Sequence, residues 1–101
     1  MQLLFCNCSV DEADELARRL VDERLAACVN IIGDVTSVYR WNGEIQHDTE
    51  ATLLIKTTDE GVDALVDELA ELHSYDVPEI VVVDPADVSQ PYAEWVHEQV
   101  R

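Results

Sequence analysis

Basic residues are nearly missing from this chain. There are six against 22 acids in 101 residues, and only one of the six, Lys56, is a lysine. A net charge of −16 argues strongly against binding a phosphate backbone, which takes clustered Lys and Arg, so no nucleic-acid partner is expected. Docking on an anionic membrane is disfavoured for the same reason. No apolar run approaches the ~20 residues of a membrane span, and no positive region precedes an apolar one at the N-terminus. No membrane partner is therefore expected, and the simplest location is cytoplasmic. Three cysteines, an odd number, fit reduced thiols better than a disulfide framework.

Against these absences, 48% of the residues are hydrophobic, enough for a globular chain with a modest core. Residues 1–101 read as one domain, with no linker, internal repeat or low-complexity segment. The acids are spread along every segment, often as pairs such as Asp11-Glu12, Asp22-Glu23 and Asp67-Glu68. None has the loop spacing of a calcium site, so they read as solvated faces. Dispersed acids with almost no lysine suit a halophilic cytoplasm, where the Debye length falls to roughly 3 Å at 1 M salt and permits such self-repulsion. The competing reading is a surface for cations or a basic partner.

Leu3–Cys8 reads as a first strand. Ser9-Val-Asp-Glu12 is a capping box opening a helix with Ala13, Leu16, Ala17, Leu20 and Val21 on one face. A long second strand follows from about Ala27 to Trp41, interrupted at Gly33-Asp34, where a bulge or bend is expected. Asn42-Gly43 supplies the two positive-φ positions of a tight hairpin turn. The third strand runs from about Glu44 to Thr57, with a polar first half and an apolar second half. Asp59 is placed to cap a second helix carrying Val62, Leu65, Val66, Leu69 and Leu72. Glu79–Val83 reads as a fourth strand covered on both faces, and a last helix starts near Ser89-Gln-Pro91.

The order β-α-β-β-α-β plus a terminal helix predicts an α+β, ferredoxin-like fold with a long hairpin between the second and third strands. Two helices cover one sheet face and leave the other bare. Strands this long reach beyond one small core, and copies of the same chain are the most economical cover.

Five segments carry a family resemblance: Glu23-Arg-Leu-Ala-Ala-Cys-Val-Asn-Ile31, Ser37-Val-Tyr-Arg-Trp-Asn-Gly-Glu-Ile45, Glu50-Ala-Thr-Leu-Leu-Ile-Lys-Thr57, His73-Ser-Tyr-Asp-Val-Pro-Glu-Ile80 and Tyr92-Ala-Glu-Trp95. Together they resemble the CutA divalent-cation-tolerance family over essentially the whole chain. The resemblance implies a homotrimer with its sheets facing inward, and a role in tolerance of copper or another divalent metal ion by binding, with no catalysis. It marks Cys6 and His73 as metal ligands. The family's usual His-Pro-Tyr has Ser74 in place of proline here, and Leu72 stands where some copper-associated relatives carry a second histidine.

Cys6 and Cys8 share one side of a strand, so both sulfurs can face one soft ion such as Cu(I), or both can be small buried hydrophobes. Cys28, beside Ala26 and Ala27, reads as close packing. Lys56 reads either as half of an inter-chain ion pair, with Glu50 or Glu79, or as an anion contact in an intersubunit cleft with Tyr75 and Glu79. Tyr39, Trp41 and Trp95 are expected at the trimer interface. A second functional reading is a trimeric signalling or small-ligand-binding module like the PII-type regulators. An acylphosphatase is set aside, because Asn7-Cys8-Ser9 runs directly into acids where that family carries an arginine loop.

The charge makes a direct prediction. Melting temperature should rise steeply between low salt and molar KCl as screening relieves repulsion. A flat profile would mean the acids are compensated locally.

Overall fold

Strand alternation decides which side of the sheet is buried. A computed structural model describes all 101 residues as β1 (Gln2–Cys8), α1 (Val10–Asp22), β2 (Cys28–Trp41), β3 (Glu44–Thr57), α2 (Val62–Leu72), β4 (Val81–Val83) and α3 (Gln90–Gln99). The strands form one antiparallel sheet in the order β2-β3-β1-β4, the ferredoxin-like arrangement expected. Leu4, Cys6 and Cys8 of β1 and Ala51, Leu53 and Ile55 of β3 are at most 1% exposed. They meet Ala13, Leu16 and Leu20 of α1 and Leu65 and Leu69 of α2 in a single core.

The residues between them point the other way. Leu3, Phe5 and Asn7 pair across with Lys56, Leu54 and Thr52, so all six share the face that α1 and α2 leave open. Val81 and Val83 lie beside Phe5 and Leu3 and join it. Phe5 is 37% and Val81 48% exposed. Tyr92 of α3 lies close to Cys28, the β2 partner of Lys56, and burial, then the Cys28 thiol, raise the pKa of its hydroxyl.

The capping box forms as predicted: the Ser9 side chain accepts from the Glu12 N–H, and the Glu12 side chain returns to the Ser9 N–H. The bulge lies between Ile32 and Val35, with Asp34 at φ 56°. Asn42 and Gly43 close the hairpin at φ 50° and 79°. Beyond the bulge the two strands leave the core as an arm on which Val38, Trp41 and Ile45 are each more than half exposed.

Two expectations are corrected. Asp59 does not cap α2: the N-cap is Gly61, and the helix begins too late for the Asp59 carboxylate to reach. Asp59 instead takes the Met1 ammonium at 3.1 Å and the Gln2 side-chain amide at 3.0 Å, while Thr58 Oγ1 accepts the Gly61 N–H. The fourth strand is shorter than Glu79–Val83, because only Val81–Val83 find partners, on Leu3–Phe5. It is an edge strand, and its three valines are 36–48% exposed, so it is not covered on both faces within the chain.

Glycine at position 61 has a steric reason. A Cβ there would stand 2.9 Å from Thr58 Oγ1 and 3.0 Å from Val100 Cγ1. Gly61→Ala should therefore destabilise by roughly 1–3 kcal/mol in urea unfolding, with a clearly smaller loss for the exposed Asp59→Ala. Equal losses would restore Asp59 as the group that starts the helix.

Candidate functional site

The α2–β4 loop crosses the end of the sheet and is fastened there by three side chains. His73, the C-cap of α2 and 7% exposed, donates Nε2–H to the Asn7 carbonyl at 2.8 Å and accepts the Tyr75 N–H on Nδ1 at 3.0 Å. Both ring nitrogens are engaged. Tyr75 tilts over that ring at 4.7 Å between centroids, and its hydroxyl donates to Glu50 Oε2 at 2.8 Å. Burial, then the Glu50 carboxylate, hold the Tyr75 hydroxyl well above its ordinary pKa.

Glu12 is the third fastening. Its carboxylate accepts from the Ser9 N–H and hydroxyl at 3.2 and 2.8 Å, and from the Ser74 N–H and hydroxyl at 3.2 and 2.6 Å. Burial pulls its pKa up, but hydrogen bonds from Ser74 and Ser9 outweigh that and leave it lowered. Ser74, the departure from His-Pro-Tyr, thus ties the loop to the start of α1 with two donors, and a proline there supplies neither.

Between this loop and the open side of the hairpin lies a groove of about 660 Å³. Its walls include the carboxylates of Asp48, Glu50, Asp76 and Glu79 and the rings of Tyr39, Trp41 and Tyr75. The Tyr39 hydroxyl donates to Asp48 across the strands. Glu50 is 8% exposed, an acid sunk into the groove floor with the Tyr75 hydroxyl as its hydrogen-bond donor.

The structure gathers only some of the anticipated site residues. Tyr75, Glu79, Tyr39 and Trp41 line the groove, whereas Trp95 stacks on Tyr92 at 5.7 Å, away from it. Lys56 sits at the opposite end of the same sheet face. Its Nζ meets Asn30 Oδ1 and stands 3.8 Å from Cys28 Sγ, and no carboxylate pairs with it. Lys56 stands six positions along β3 from Glu50, about 20 Å of extended chain. Asn7 and Glu12, which hold the loop in place, were not anticipated in these roles. The capping box had already accounted for Glu12, and nothing local marks a second use of its carboxylate.

Cys6 and Cys8 do share a side, and it is the buried one. Burial, then neighbouring negative charge, push their thiols up to about 12 and about 11, so both are protonated at neutral pH. No three His, Cys, Asp or Glu side chains converge as a metal site within the chain. A protonated Cys6 and a doubly engaged His73 do not offer a ready donor pair as they stand.

The strand order and the helices packed on one face define a ferredoxin-like fold, and comparison with known proteins gives it a family. The CutA1 divalent ion tolerance protein family matches residues 2–99. The divalent-cation tolerance protein CutA of Thermus thermophilus is 46% identical over 90 residues, 89% of this chain and 87% of that one. The solved structure of the Thermus protein superposes with a TM-score of 0.93 at 41% identity, covering 100% of both chains. The PII-like protein CutA from Nostoc gives 0.96 at 32% identity, covering 100% of this chain and 98% of that one. Mouse CutA is 42% identical over 86 residues, 85% of this chain, but those are only 49% of its own length. The chain spans about half the length of the mouse and human relatives it matches. It belongs to the CutA1 divalent ion tolerance family.

The Glu12 clamp should be visible in pH dependence. A carboxylate with a lowered folded pKa adds stability that is full above its unfolded value, near 4.3, and is lost as pH falls through the folded value. Ser74→Ala should cost about 0.5–1 kcal/mol at pH 7 and progressively less as the pH falls through the lowered Glu12 value, by urea titration at each pH. A difference independent of pH would show that the Ser74 hydroxyl matters for some reason other than Glu12.

Proposed function

We propose that the chain works by binding, without catalysis, as a cytoplasmic homotrimer that handles divalent metal ions, copper among them. One observation carries this reading. An apolar sheet face left bare by its own helices runs directly into an acidic, aromatic-walled groove. Phe5, Leu54, Val81 and Val83 are of the kind that a second and third copy would cover, and the exposed hairpin arm offers each copy a way to reach its neighbour. The groove carboxylates suit hard divalent cations, and a site built from one chain lacks enough donors, so ligands from more than one chain fit the family's divalent-ion role. Copper on Cys6 and His73 requires that the thiol ionise and that one His73 hydrogen bond be given up. The raised, shielded thiols are poor nucleophiles, which supports binding over chemistry.

A second reading, a PII-like small-ligand module, is favoured by the likeness to the Nostoc PII-like protein and by a lysine on the open face with no carboxylate partner. An anionic ligand would then sit at Lys56.

Light scattering in molar salt should give three times the 11.4 kDa chain mass at micromolar concentration, with no folded monomer. A clean monomer or dimer would sink the assembly. Calorimetry with Cu(I), Cu(II) and Zn(II) on reduced protein should show saturable binding. Loss in Cys6→Ser or His73→Ala, with the trimer intact, assigns those ligands; loss in Glu79→Gln assigns the groove. No heat with any ion, together with a co-purifying metabolite, would favour the PII-like reading.

A further inference from the structure

Charge on the open sheet face is unbalanced in a way that one chain cannot repair. The arginines are accounted for locally: Arg18 and Arg19 pair with Asp14 and Glu23 one helical turn away, and Arg24, Arg40 and Arg101 donate to backbone carbonyls. Lys56 is the one basic side chain on the open face, half-buried, held only by an amide oxygen and a thiol. At the other end of that face the groove collects four carboxylates, and Glu50, the deepest, is answered by a phenol. About 20 Å of β3 lies between them, well beyond the combined reach of the two side chains.

Between the two ends lie Leu3, Phe5, Leu54, Val81 and Val83. Once a neighbouring copy covers that patch, the ammonium at one end and the carboxylates at the other both lose water. Each unpaired charge then carries a heavy desolvation cost. The two ends complement one another in charge and share a face, so they can meet only between copies. Tyr39, Trp41 and Tyr75 add ring faces of the kind that hold an ammonium.

We propose that the groove is completed by a second copy of the chain: Lys56 of a neighbouring protomer enters it and pairs with Glu50 and Glu79. This rests on the assembly proposed above and deepens it. The cleft is a composite of two chains, and the single lysine both registers the copies and offsets part of the groove's negative charge. A metal ion or other cation entering the groove competes with that lysine.

Because Lys56 is the only lysine, a zero-length carbodiimide can report its neighbours with little ambiguity. Treated native protein should run as covalent multimers under denaturing conditions, and peptide mapping should find Lys56 joined to Glu50 or Glu79. Light scattering on the same sample separates the outcomes. An assembled protein with no such junction, or with Lys56 joined elsewhere, overturns the latch and leaves the assembly standing; a monomer overturns both. Charge exchange gives an independent check. Lys56→Glu and Glu79→Lys, which spares the Glu50–Tyr75 hydrogen bond, should each weaken assembly about a hundredfold or more, and the double variant should recover most of that loss. A double variant no better than the worse single one would overturn the pairing.

Discussion

Two helices of this size can cover one face of a four-stranded sheet and no more. Everything else in the chain answers to that limit. Packing α1 and α2 on one side fixes Leu4, Cys6, Cys8, Leu53 and Ile55 as core, and the period of two then commits every intervening residue to the other side. Lys56 and Glu50 lie on that second face because Ile55 and Ala51 are on the first. The placement of charge is therefore a by-product of the core pattern, and only the choice of residue type at those positions is free.

Most of the fold was legible in the sequence because its signals are local. The capping box, the Asn42-Gly43 turn and the bulge at Gly33-Asp34 each need only a few adjacent residues, and all three stand where expected. The two corrections come from distance. Asp59 has the right chemistry for a cap, but Met1 and Gln2, folded in from the far end of the chain, claim its carboxylate. Glu79 and Ile80 have strand character, but the ladder to β1 stops at Phe5–Val81, and the carbonyl of Asn7, which the register would set opposite Glu79, is taken by His73. The candidate site was legible as a set of residue types and not as a place. Tyr75 and Glu79 share one loop, but they meet Tyr39, Trp41 and Glu50 through tertiary contacts that no spacing reveals, and Lys56 is separated from them by about 20 Å of strand.

The acidity also reads differently with coordinates in hand. Many acids are on helix surfaces, where they serve solvation, but Glu12 and Glu50 are structural. Glu12 accepts four hydrogen bonds from two segments, and Glu50 anchors the ring that closes the loop over the sheet. Neither could be exchanged for another solubilising residue. A bulk property of the composition thus conceals two positions where one particular carboxylate geometry is required.

The bulge between Ile32 and Val35 divides the hairpin into two stretches under different selection. Below it, a change of side chain is felt by the core and by folding. Above it, Val38, Trp41 and Ile45 are each more than half exposed. That upper stretch can drift at almost no cost to the monomer, provided that whatever it meets drifts with it. Chains of this architecture from different sources would then fold alike yet refuse to mix, each arm having become a password for its own kind.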